Sequence, residues 1–99
     1  MSRSVGITLN SEGDLVWSGH DLGPEVGALR AGASEYEFWR YIRAKDVPAL
    51  VAALGGVAGD DVTRLVGKRF RSDTELAAFA EAHDIPTEFS SWIPTHWDE

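Results

Sequence analysis

The chain has no cysteine among its 99 residues, so disulfides, zinc–thiolate sites and thiol nucleophiles are all excluded. It also has no long apolar run. The longest, Val47 to Gly59, is too short for a bilayer and is interrupted by Pro48, Gly55 and Gly56. Residues 1–20 lack the apolar core of a signal peptide and already carry Glu12 and Asp14. A soluble, cytoplasmic protein with no membrane partner is expected.

Positive charge is the third shortage. The net charge is −7, and residues 72–99 hold seven acids with no Lys or Arg. Residues 1–39 carry −4, and only the middle segment, 40–71, is basic, at +4. A predominantly negative field repels phosphate backbones, so no nucleic-acid partner is expected. A basic protein surface is the better electrostatic match.

Signatures of chemistry are scarce as well. His20, His83 and His96 each have an Asp one or two residues later, but residues so close in sequence do not face one another. No H-x-x-x-H pair offers a metal site. No serine lies in G-x-S-x-G, and the glycine-rich stretch 55–59 lacks the Lys-Ser/Thr of a phosphate-binding loop. Glu35 and Glu37 share one strand face, yet raising a carboxyl pKa requires burial, which strand-surface acids usually lack. The basic run Arg64 to Arg71 reads as a solvated helix end facing the acidic last third of the chain. A non-catalytic protein with no cofactor and no metal is expected.

What the sequence does have is periodicity. Val5, Ile7 and Leu9 alternate as a strand, Asn10 to Asp14 reads as a turn, and Leu15 to Ser18 as the returning strand. Gly19 to Gly32, with four glycines and Pro24 in that span, reads as mostly loop. Residues 35–43 alternate again. Tyr36, Phe38 and Ile42 point to one side, and Glu35, Glu37, Trp39, Tyr41 and Arg43 to the other.

Three helical stretches follow, at 47–54, 61–71 and 73–83. Pro48 suits a first turn and Gly55 a left-handed end. Asp60 is the expected N-cap of the second helix. Ser72 and Glu75 form a capping box in which each satisfies the other's free N–H, and Pro86 stops the third helix. A last strand at 88–93 places Phe89 and Ile93 on one side, Glu88 and Trp92 on the other.

This order, β-β-β-α-α-α-β, predicts one α+β domain over residues 1–99. It would be a four-stranded, mainly antiparallel sheet with three helices packed on one face. The expected core is Ile7, Phe38, Ile42, Leu50, Leu54, Leu65, Phe70, Leu76, Phe79, Phe89 and Ile93.

With Phe38 and Ile42 assigned to the core, Trp39 and Tyr41 must face away from it. If the last strand lies beside this one, Trp92 joins them. Glu35, Glu37, Trp39, Tyr41 and Trp92 are therefore the candidate partner-binding residues, because Trp and Tyr combine large apolar area with a polar handle. Segment 19–33, or the tail with Trp97, could instead cover that face. The expected function is a small acidic binding module of the immunity or antitoxin kind, acting on a basic protein. One alternative is a small-molecule-binding or enzymatic pocket between sheet and helices, using Glu35, Glu37 or His20. The other is a self-associating structural protein.

The segments GHDLG (19–23), SEYEFW (34–39), AHDIP (82–86) and EFSSW (88–92) together resemble a group of small uncharacterised bacterial proteins. That group is similar in its E-Y-E-aromatic-Trp strand and in a Gly-Ile-Pro helix exit before a final aromatic strand. Here Asp84 replaces that Gly, which places a left-handed position on a residue with a Cβ. The resemblance implies a fold and no activity.

Overall fold

The computed structural model describes residues 2–22 and 35–92, with side-chain placement for 4–20 and 36–92. Four strands, β1 (Ser2–Leu9), β2 (Leu15–Leu22), β3 (Glu35–Ile42) and β4 (Glu88–Trp92), lie in sequence order in one sheet. Every neighbouring pair is antiparallel. A single 3₁₀ turn at Ala44–Asp46 leads into α1 (Val47–Ala53), followed by α2 (Val62–Arg69) and α3 (Asp73–Ala82). The expected α+β order is present. No helix among the described residues is long and apolar enough to cross a membrane.

Strand alternation decides which side chains reach the helices. The register pairs Leu15 with Ile42, Trp17 with Arg40 and Gly19 with Phe38 across β2 and β3. It pairs Ile7 with Trp17 across β1 and β2. Directly paired residues share a face. Leu15, Trp17 and Ile42 are buried in one cluster with Leu50, Val62, Val66, Phe70, Leu76, Ala80 and Ile85, and Ile7 and Phe38 pack at its margin. This is the helix-covered face.

Two residues on it depart from expectation. Trp17 is only 4% exposed, a core member beyond those named from the sequence. Phe89 was expected to be core but is 51% exposed. It does lie on the helix side, stacked on Phe38 at 6.1 Å beneath the Arg40 guanidinium. β4 is an edge strand that no helix packs closely, so alternation gave its face but not its depth. Leu65 and Leu54 are half-buried, and Ile93 lies outside the described residues, as do 23–33, His96 and Trp97.

β2 continues through Gly19 and His20, which had read as loop. A glycine is tolerated there because the Phe38 ring lies across its backbone: a Cβ at Gly19 would come within 2.2 Å of that ring. The glycine is a close-approach position within the sheet.

Helix ends follow local chemistry. Gly55, at φ +79°, closes α1 with Gly56 N–H donating to Val51 C=O and Gly55 N–H to Ala52 C=O, a Schellman end. The α2 cap is Asp61, which accepts from Thr63 N–H, whereas Asp60 accepts from Val57 N–H in the preceding turn. Ser72 caps α3 by accepting from Glu75 N–H at 3.2 Å. The return arm of the expected box is shifted by one residue, because Glu75 accepts from Arg71 N–H rather than from Ser72. α3 ends in a second Schellman pair, Ile85 N–H to Ala80 C=O and Asp84 N–H to Glu81 C=O. Asp84 takes the left-handed position at φ +59°.

Candidate functional site

The face of the sheet turned away from the helices is built around β3. Glu37, Trp39 and Tyr41 alternate along it. Antiparallel pairing then sets Trp92 opposite Glu37, Ser90 opposite Trp39 and Glu88 opposite Tyr41. On the other flank, His20 is opposite Glu37, Ser18 opposite Trp39 and Val16 opposite Tyr41. Four of the five candidate residues, Glu37, Trp39, Tyr41 and Trp92, thus share one surface. The fifth, Glu35, begins β3 opposite Leu22, and its side chain is outside those described.

Trp39, Tyr41 and Glu37 are half-buried, whereas Trp92 is 45% exposed. Val16 is buried beside its cross-strand partner Tyr41. Trp39 and Tyr41 on β3 and Trp92 on β4 therefore share one face, with Ser18 and Ser90 flanking Trp39.

The electrostatics of this surface centre on Arg43, just past β3. Its guanidinium grips Glu88 through two bonds, Nε to Oε2 at 2.9 Å and Nη2 to Oε1 at 2.6 Å. Its Nη1 reaches Asp14 Oδ2 at 3.0 Å, and the same group lies over the Tyr41 ring at 4.8 Å. Asp14 is only 4% exposed but well satisfied, accepting also from Asn10 Nδ2 and from Ala44 N–H. The hairpin turn, the end of β3 and the start of β4 are thereby tied at one point.

Hydrogen bonds from Asn10 and Ala44, with Arg43 beside them, hold the Asp14 carboxyl below its ordinary value, and the Arg43 bonds do the same for Glu88. The Arg43 guanidinium is shifted upward by Glu88 and Asp14. Because the folded carboxyl values are depressed, the stabilisation is full above the ordinary carboxylate range. It is lost as pH falls through the folded values. The knot is charged and intact at neutral pH.

On the same face His20 Nε2 is 3.9 Å from Glu37 Oε1. Both residues point away from the helices, so neither lines the space between sheet and helices. The apolar groove on the helix side, about 370 Å³, lies between Leu9, α1 and the α1–α2 connection, with Asp60 as its ionisable group. His83 caps the end of α3, its ring on Phe79 at 4.4 Å. Among the described residues no three potential metal-ligating side chains come together.

His20, Val16, Ser18, Glu88 and Ser90 belong to this surface and were not among the partner-binding candidates. Their membership depends on strand order and register. The one usable signal was that β2 continues with alternation past Gly19. Compared with protein-family models, curated proteins and solved structures, the chain matches none.

Proposed function

We propose that the protein is a non-catalytic binding module that docks a basic protein on the open face of its sheet, the class in which immunity and antitoxin proteins fall. The observation that carries this reading is the register that gathers Trp39, Tyr41 and Trp92 beside Glu37, opposite the helix layer. Aromatic rings on a rigid strand supply buried area at little entropic cost, and their charged neighbours keep the free face wetted. The basic character of the partner rests on the net charge of −7 and on Glu37 within the patch. Arg43 at its rim is already held by Glu88 and Asp14.

The test is affinity capture from extracts of the source organism, with identification by mass spectrometry, using wild type and Trp39→Ala side by side. Wild type is expected to retain a basic protein that elutes as salt rises, since exposed charges are screened over about 10 Å at 0.1 M. Trp39→Ala, still folded by circular dichroism, is expected not to retain it. Equal retention by both proteins, or none by wild type, contradicts the reading.

A further inference from the structure

We propose that the outer edge of β4 pairs antiparallel with β4 of a second copy, joining two sheets into one of eight strands. β4 differs from the other strands in that all five of its residues are exposed. It has β3 on one side and no strand on the other among the described residues. The helix layer reaches the opposite edge, where α2 packs against β1, but no helix packs closely on β4. Phe89 on the helix side is therefore 51% exposed, and Trp92 on the open side 45%. A bare strand edge offers unpaired N–H and C=O groups; among the described residues no strand covers it, and β4 contains no Lys, Pro or Gly.

The occupant follows from the sequence of the strand itself, Glu-Phe-Ser-Ser-Trp. A two-fold axis through Ser90 sets Ser90 against Ser90, Phe89 against Ser91 and Glu88 against Trp92. No like charges then oppose. The two Glu88 residues lie four positions apart, about 14 Å along the strands, and each is already held by its own Arg43. The two Phe89 rings become diagonal neighbours on the helix side, within aromatic reach. Each bulky residue meets a small or complementary one, which makes the edge self-complementary, as a two-fold interface requires. Pairing at the edge leaves Trp39 and Tyr41 on the open face, and of the candidate binding residues it engages only Trp92, so the two proposals can fail separately. An edge of five residues buries little area, and the association is weak and dependent on concentration.

Sedimentation velocity from about 10 μM to 1 mM tests it, since a small interface fills in that range. Wild type is expected to shift from monomer to dimer. Ser90→Lys and Ser90→Glu, each placing like charges face to face on the axis, are expected to remain monomeric, and their equimolar mixture to dimerise again. Ser90→Cys, nearly isosteric and the only thiol in the chain, is expected to form a covalent dimer on mild oxidation, because paired strands hold opposed Cα atoms about 4.5–5.5 Å apart. A wild type monomeric throughout overturns the proposal. So does dimerisation unchanged in Ser90→Lys and Ser90→Glu, or a dimeric Ser90→Cys that does not cross-link. A monomeric wild type that still retains a basic partner through Trp39 overturns only the edge pairing.

Discussion

The two faces of β3 are interleaved residue by residue and yet serve opposite ends. Phe38, Arg40 and Ile42 meet the helix layer, while Glu37, Trp39 and Tyr41 meet none of it. On the covered face even the charge is enclosed: Arg40 pairs with Asp73 at the start of α3 at 2.9 Å, both side chains largely buried. On the open face the corresponding pair, Arg43 and Glu88, stands at the surface. Aromatic residues occur on both. Trp17 on the covered face is sealed, whereas Trp92 on the open face is 45% exposed. Tryptophan is thus sealed in the core at Trp17 and exposed at Trp92, and the alternation of the strands puts the two on opposite faces of the sheet.

That contrast can be broken most forcefully at Trp17. Trp17→Ala removes a sealed core ring and is expected to cost about 3–5 kcal/mol in chemical denaturation, enough to leave a small domain barely folded. A loss below about 1 kcal/mol would erase the distinction between the faces. Gly19→Ala probes the same face through its tightest approach. The added methyl must displace the Phe38 ring, and a loss of about 1–3 kcal/mol is expected from the midpoint of unfolding.

Away from the sheet the effects diminish. Ser72→Ala frees the N–H of Glu75 and should lower stability by about 0.5–2 kcal/mol, while Arg71→Ala should stay within about 0.5 kcal/mol. An unchanged denaturation midpoint in Ser72→Ala would remove that cap from the account. One further effect has the opposite sign. Asp84→Gly relieves a left-handed residue at the end of α3 and should raise stability by about 0.5–1 kcal/mol, seen as a higher melting temperature.

Much of this contrast was legible in the sequence because a period of two is a local property. Trp39 and Tyr41 could be assigned to the open face from Phe38 and Ile42 alone, with no knowledge of strand order. Trp92 depended on β4 lying beside β3, which local pattern does not determine. The Asp14–Arg43–Glu88 knot joins residues 29 and 45 positions apart, and nothing near any of them announces the others. Gly19 looked like the start of a loop because a glycine's reason for being in a strand is the ring above it. Phe89 shows the limit in the other direction. Its phase was right, but its burial depends on how far the helix layer extends, which is a property of the whole assembly of elements. The Asp60–Asp61 pair shows it at a smaller scale: two adjacent caps were chemically equivalent until the turn before α2 claimed the first.

The central claim is that the aromatic face is a contact surface rather than a second core, and Trp39→Ala measured against Trp17→Ala under the same denaturant tests it most directly. The account predicts that Trp39→Ala keeps the wild-type circular dichroism and loses no more than about 1 kcal/mol, a fraction of the cost of Trp17→Ala. A Trp39→Ala protein that unfolds, or that loses as much as Trp17→Ala, would make Trp39 a core residue and contradict the claim.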